Sequence, residues 1–350
     1  MAAMKTTAIG YSENLPAAHP EALLSREVPV PEPGPRDLLV EVEAVSVNPV
    51  DVKLRAGAPA DGFRVLGFDA AGTVRAVGAE ATLFAPGDEV FYAGSIGRPG
   101  TNQRLHLVDE RIVGRKPTAL SFADAAALPL TAITAWEALF DRLRLEEDSA
   151  GTLLVIGATG GVGSVMLQLA EALLPDVAVI ATASDDARAA RMRELGAEHV
   201  VNHREDLVAQ VLEIAPEGVD RLFTAHSEGQ IERYAEIVRP FGHVVAIDDG
   251  PRDVSPLKGR SISWHWELMF TRPLLETPDM IEQHRLLDAV ADLVDRGRIR
   301  STAATVLGPI SPAALREAHE LVERGRTVGK VVVHGWEEAI DSARESTDIY

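Results

Sequence analysis

Apolar and polar positions change their repeat twice along the chain. Leu38, Val40, Val42 and Ala44 alternate with Leu39, Glu41 and Glu43, the two-residue period of a half-buried strand. Residues 72–78 read as a second strand, and Pro86-Gly87-Asp88 turns the chain into Glu89-Val90-Phe91-Tyr92. Turn residues as dense as Pro31-Glu32-Pro33-Gly34-Pro35 predict a small, irregular barrel for the first third. Ser121 and Asp124 have capping-box spacing ahead of an alanine-rich helix, and residues 131–143 carry apolar side chains at helical intervals. From Thr152 onward, short apolar runs at 177–183, 199–201, 220–225 and 242–247 are separated by amphipathic segments, which predicts a parallel sheet covered on both faces. The pattern is irregular through Trp264-His265-Trp266. It then resumes as helices at 280–295 and 313–324 and a strand at 330–334 that is expected to return to the first domain. Residues 341–350 are polar and expected to fray.

The most informative stretch runs from Thr152 to Ser164. A buried-strand run feeds Gly157-Ala158-Thr159-Gly160-Gly161-Val162-Gly163 and then an apolar helix. Glycines at such a turn let phosphates approach the backbone, and the helix N-terminus behind it stabilises their charge. With Ala158 in the place of the first glycine, Gly160 and Gly163 complete a dinucleotide fingerprint. An NAD-specific site wants a carboxylate about twenty residues further on to hold the adenosine ribose. That position falls near the neutral Ala183, and Ser184 and Arg188 offer a hydroxyl and a positive charge for a 2′-phosphate, so NADPH is the expected cofactor. Asp185 and Asp186 are expected to cap the next helix and face water.

Composition narrows the alternatives. The chain has 350 residues, 46% of them hydrophobic, enough for two cores and so for two domains. Its 53 acidic against 34 basic residues give a net charge of -19, which opposes nucleic-acid binding. Zero cysteines exclude disulfides, thiol catalysis and sulfur-ligated zinc. No leader-like start suggests export, so the cytoplasm is expected. The uncharged stretch between Asp148 and Glu171 is broken by five glycines and reads as strand plus helix rather than a membrane span.

Several segments together resemble one known family. They are Val45-Ser46-Val47-Asn48-Pro49-Val50-Asp51, Leu66-Gly67-Phe68-Asp69-Ala70-Ala71-Gly72, Pro86-Gly87-Asp88-Glu89-Val90, Ala127-Leu128-Pro129-Leu130-Thr131-Ala132 and the Gly160–Gly163 turn. In this order they are similar to the medium-chain dehydrogenase/reductase superfamily, and within it to the zinc-free quinone oxidoreductase branch, whose members are often labelled zinc-type alcohol dehydrogenase-like. The resemblance covers essentially the whole chain. It implies an α/β protein with a GroES-like β-barrel catalytic domain and a doubly wound Rossmann domain, the nicotinamide lying between them. The expected division is 1–125 for the first part of the catalytic domain, 126–265 for the Rossmann domain and 266–350 for a segment returning to the catalytic domain. The resemblance also implies a homodimer. It places Asn48 at the nicotinamide end, Thr131 along that pocket, and Thr159, Gly160, Gly161 and Val162 at the pyrophosphate. Ser184 and Arg188 fall at the 2′-phosphate, His203 beside the adenosine, Ile247 at the strand end near the nicotinamide, and Lys330 on the segment closing over the cofactor.

The departures from the family also carry information. Asn48-Pro49 stands in the first zinc-ligand region and Phe68 where a histidine is expected, so no metal is expected. Without a Lewis acid to lower an alcohol's pKa, reduction of a quinone or an α,β-unsaturated carbonyl is favoured over alcohol oxidation. Lys53 occupies a segment where many quinone reductases carry tyrosine, and Tyr92 and His265 are further donor candidates. Asp248 and Asp249 stand where relatives commonly carry glycine. A short-chain reductase needs a tyrosine with a lysine four residues later, which Tyr11, Tyr92 and Tyr234 all lack. Neither a G-x-S-x-G elbow nor H-E-x-x-H is present. Enoyl-thioester reduction and a non-enzymatic NADPH-binding sensor or structural role are the competing readings.

Overall fold

The computed structural model describes residues 4–325 and 327–337. The expected fraying of residues 341–350 lies outside them. Strands β1 (Lys5–Tyr11), β2 (Leu24–Pro29), β3 (Asp37–Val47), β4 (Arg64–Val65), β5 (Ala70–Val77), β6 (Glu89–Tyr92), β7 (Leu105–Asp109) and β8 (Val113–Arg115) build the barrel lobe, with helix α1 (Pro49–Gly57) between β3 and β4. β3 is the long central strand: it pairs antiparallel with β5 on one side and with β7 over its first half. Its apolar positions, Leu38, Val40, Val42 and Val45, fill the barrel interior.

Ser121 caps α2 (Phe122–Ala126), accepting from the Asp124 N–H. The expected helix over 131–143 is divided: α3 (Pro129–Trp136) relaxes into a π-helical turn at Glu137–Arg142. Thereafter the chain alternates as β9 (Gly151–Ile156), α4 (Gly161–Leu173), β10 (Val177–Ala183), α5 (Asp186–Glu194), β11 (His199–Asn202), α6 (Leu207–Ile214), β12 (Val219–Thr224), α7 (Ile231–Ile237), β13 (Val238–Ala246) and β14 (Ser263–Trp266). These six strands are parallel in the order β11-β10-β9-β12-β13-β14, the doubly wound arrangement whose ligands sit beyond the strand C-termini. β14 corrects the sequence reading, which left Trp264-His265-Trp266 irregular. It is an edge strand held by parallel pairing to β13, and a single hydrogen-bonding neighbour leaves little apolar periodicity to detect.

The chain leaves the sheet through α8 (Thr271–Leu275) and α9 (Glu282–Asp295). It ends in β15 (Ala303–Leu307), α10 (Pro312–Glu323) and β16 (Lys330–His334). β16 pairs antiparallel with β3, so the C-terminal strand closes the barrel sheet. One apolar core is continuous across both lobes: Phe68, Phe91 and Val332 of the barrel pack with Leu128, Ile133, Val155, Leu167 and Leu287. Among the described residues no helix is long and apolar enough to cross a membrane.

A buried polar joint fastens the point where the chain leaves the sheet. Glu267 follows β14, and its side chain is fully buried beside Glu137 of the π-turn. Arg142 donates to Glu267 at 2.9 Å. Arg272 reaches Glu137 at 2.5 Å, Asp141 at 2.9 Å and Asp279 at 3.0 Å. Burial and the adjacent Glu137 push Glu267 up to about 9, against the pull of Arg142. Glu267 therefore stays protonated in the folded chain and ionises on unfolding at neutral pH. It favours folding at low pH and loses that contribution as pH rises from the ordinary carboxylate range towards about 9. In Glu267→Gln this slope is absent. Its melting temperature, relative to the parent chain, is expected to rise by about 3 °C or more between about pH 5.5 and about pH 8.5 in thermal denaturation; an unchanged difference would contradict a protonated pair.

Candidate active site

Where the two lobes join lies a saturated polar knot. Lys330, the first residue of β16, is almost fully buried, and its ammonium donates to Asp69 Oδ2 at 3.0 Å, to the Val47 carbonyl at 3.2 Å and to Asn48 Oδ1. Three N–H groups thus meet three acceptors. Asp69 Oδ2 also accepts from Ser46 at 2.8 Å and Asn48 Nδ2 at 2.7 Å, and its Oδ1 accepts from the Leu130 N–H at 2.7 Å. The remaining contact of the Asn48 side chain is from Nδ2 to the Phe68 carbonyl at 3.4 Å. Asn48 is therefore not an open amide facing the cleft: it bears on the site by holding Lys330 and Asp69. Asp69 and Ser46 lie within the family-like segments and were not assigned a role, because nothing in residue order shows which side chains share one buried cation.

Asp51 supports the knot from beneath, accepting from the Asn48 and Gly67 N–H groups at 2.8 and 2.9 Å. Complete burial pushes it up to about 7, opposed by those two bonds and by the charge of Lys330.

The knot touches the glycine turn. A Cβ at Gly161 would lie 2.8 Å from Thr131 Cγ2 and 3.0 Å from Lys330 Cδ, and the Gly329 N–H donates to the Thr159 carbonyl at 3.3 Å. A Cβ at Gly163 would lie 2.4 Å from Ala158 Cα, so α4 packs onto β9 only with glycine there. Thr131 itself is buried, with its hydroxyl on the Leu128 carbonyl at 2.9 Å. It therefore offers the cleft its methyl group. Ile247 follows β13, half-buried against the shared core.

Beyond the turn, a cleft of about 400 Å³ brings Thr159, Ser184, Arg188 and His203 together with Gly157, Thr182, Arg204, His226 and Arg233. Three arginines on one cleft contrast with a chain of net charge -19. His203 is held below the ordinary histidine range, first by burial and then by Arg204, His226 and Arg188, the signature of an electropositive pocket. Asp185 caps α5, accepting from the Arg188 N–H at 2.9 Å and pairing with its guanidinium. These bonds hold Asp185 at about 2. Asp186 is exposed.

Two donor candidates are placed elsewhere than the sequence reading has them. Tyr92 is fully buried in the barrel core, its ring stacked on His106 at 5.4 Å and its hydroxyl 3.0 Å from His106 Nδ1. His106 Nε2 faces the Pro99 carbonyl at 3.1 Å, so Nε2 carries the proton and Nδ1 accepts from Tyr92. Burial raises the phenol and lowers His106 to about 4. Tyr92 is a core residue because β6 is covered on both faces. His265 stacks on His243 across β13 and β14, Nε2 to Nδ1 3.2 Å. Lys53 on α1, by contrast, reaches across the cleft to Asp249 at 2.5 Å.

Two family models match the chain: the alcohol dehydrogenase GroES-like domain over residues 34–129 and the zinc-binding dehydrogenase over residues 195–333. A zinc-type alcohol dehydrogenase-like protein of Staphylococcus aureus (strain COL) is 40% identical over 311 residues, spanning 87% of this chain and 92% of that one. A quinone oxidoreductase of Pseudomonas aeruginosa is 31% identical over 322 residues, spanning 90% and 96%. A crystal structure from Rhizobium etli CFN 42, provisionally named a zinc-dependent alcohol dehydrogenase, superposes with a TM-score of 0.92 at 49% identity, covering 96% of this chain and 99% of that one. The lobes, the glycine turn and these likenesses agree: the chain belongs to the medium-chain dehydrogenase/reductase superfamily, among zinc-type alcohol dehydrogenase-like proteins and quinone oxidoreductases, and is a nicotinamide-dependent oxidoreductase.

Proposed function

We propose that the chain is an NADPH-dependent reductase of quinones or α,β-unsaturated carbonyls that works without catalytic zinc and as a homodimer. The observation that carries this reading is the Lys330 ammonium saturated by Asp69, Asn48 and Val47. A family named for zinc implies a cation site at this floor, yet the donor set does not fit one. Cysteine is absent from the sequence, Phe68 packs edge-on against Phe270 at 5.2 Å, and Asp69 already accepts from four donors. Among the described residues no group of three or more histidines and carboxylates is placed to hold a metal.

The cleft does fit a dinucleotide. Gly160, Gly161 and Val162 open α4 towards a pyrophosphate. Ser184, Arg188 and Arg204 suit a 2′-phosphate, no carboxylate stands at Ala183, and His203 flanks the adenosine. Thr131, Ile247 and Lys330 frame the nicotinamide end. When bound, the reduced nicotinamide supplies a hydride to the acceptor. The chain's part is to hold the acceptor at the cleft mouth and to stabilise the oxygen on which negative charge then grows. Lys53 is the ammonium placed at that mouth. The open edge of β14, with Trp266 and Leu268 exposed beside it, supports pairing of two copies.

Two outcomes test the reading. Purified protein is expected to oxidise NADPH with members of a quinone and enone panel, to keep its rate within about twofold under a strong chelator, and to carry substoichiometric zinc by elemental analysis. Absence of turnover across the panel would favour a sensor role, and loss of activity on chelation would overturn the metal-free reading. In a fluorescence titration, Arg188→Ala is expected to weaken NADPH binding about tenfold while NADH changes by less than about twofold.

A further inference from the structure

Asp248 and Asp249 lie just beyond the C-terminal end of β13, where two adjacent carboxylates on an acidic chain call for a physical reason. The Asp248 carboxylate accepts from the Ser227 N–H and hydroxyl, each at 2.7 Å, and from Arg252 at 2.8 Å. The same Arg252 Nη2 donates to the Asp249 carbonyl at 2.8 Å, and its guanidinium is almost buried. The turn closes through Gly250 at φ +103°, where a Cβ would lie 3.0 Å from Arg252 Nη1. Asp248, Ser227 and Arg252 therefore fix the backbone of Asp249, while its own carboxylate is left well exposed. That carboxylate meets Lys53 of the opposite lobe at 2.5 Å, 196 residues away in sequence. A rigidly presented anion on one wall and a long, flexible cation on the other form a bar across the mouth.

Resting on the reductase reading above, we propose that Asp249 is a specificity-determining residue: its pairing with Lys53 closes the acceptor mouth with a neutral ion pair that uncharged acceptors part on entry, and it discriminates against anionic acceptors. The argument is electrostatic. Lys53 and Arg252, the cations paired with Asp249 and Asp248, each already face an aspartate. An acceptor bringing its own negative charge must compete with Asp249 for Lys53 and then sit beside a displaced carboxylate. An uncharged acceptor needs only to part an exposed ion pair, which holds weakly, and it finds the Lys53 ammonium within reach of its oxygen. The substrate class is thereby narrowed to uncharged quinones and enones, at the expense of thioesters of phosphorylated carriers.

The test compares an unsubstituted naphthoquinone with its sulfonated form. In Asp249→Asn, the ratio of kcat/KM for the sulfonated over the unsulfonated quinone is expected to rise about fivefold or more, because Lys53 is left uncompensated. On a Lys53→Met background, the same Asp249→Asn change is expected to raise that ratio less than in the parent chain, because only the direct repulsion by the carboxylate is then relieved and no ammonium is set free. A purely structural role for Asp249 would lower both rates together, and an unchanged ratio overturns the proposal. A second measurement needs no acceptor. The release rate of NADPH, followed by its fluorescence, is expected to rise about threefold in Asp249→Asn and in the parent chain at high salt. An unchanged release rate in both also overturns the bar. Failure to bind NADPH at all would instead overturn the reductase reading on which it rests.

Discussion

The buried contact between Lys330 and Asp69 organises both the cleft and the join between the lobes. Asp69 stands at the entrance to β5, and Lys330 opens β16, the last strand added to the barrel sheet. Oδ1 of the same carboxylate takes the Leu130 N–H at the start of α3, the helix that begins the dinucleotide lobe. The stem of Lys330 then lies against Gly161. A single ion pair thus meets the barrel, the first helix of the other lobe and the phosphate turn. Such a pair is stable only because every donor and acceptor in it is used; removing either partner would leave a buried charge uncompensated, at a cost of about 3–5 kcal/mol. The polar network fixes geometry, and the shared apolar core around it supplies the cohesion.

This arrangement explains what residue order could and could not reveal. The barrel strands, the Gly157–Gly163 turn and the alternation after Thr152 were legible because backbone periodicity and turn chemistry are local properties. Thr159, Ser184, Arg188 and His203 come together in one cleft for a related reason: they lie at or shortly beyond the C-terminal ends of parallel strands, and such ends converge in this topology. Tyr92 was not legible. Val90, Phe91 and Tyr92 are all buried, so alternation along β6 no longer distinguishes the cleft from the barrel interior. Asn48 has the same difficulty in polar form, since an amide reads alike whether it faces a ligand or is consumed by Lys330 and Asp69. The Glu137 and Glu267 pair, 130 positions apart by their numbering, is visible only once the π-turn and the exit from β14 are brought together.

Charge is distributed along the cleft in a way the net value conceals. Arg188, Arg204 and Arg233 line the cleft beyond the glycine turn, where Asp185 pairs with Arg188, whereas the floor and the mouth consist of matched pairs: Lys330 with Asp69, Lys53 with Asp249, Arg252 with Asp248. An arginine-lined cleft suits the fixed anionic groups of a dinucleotide. Neutrality at the mouth suits an acceptor whose charge appears only during reaction, because a permanent excess cation there would bind the ground state of any anion before it favoured a transition state.

The two kinds of pair also differ in what they permit. Lys330 and Asp69 are buried, and their side chains make five further hydrogen bonds to their surroundings, so separating them exposes several unsatisfied groups at once. Lys53 and Asp249 are solvated, and water replaces each partner when they part. The buried pair is therefore fixed in place, while the solvated pair parts at little free-energy cost. In the proposed reductase that asymmetry would let the cofactor be located closely while the acceptor still passes the opposite wall.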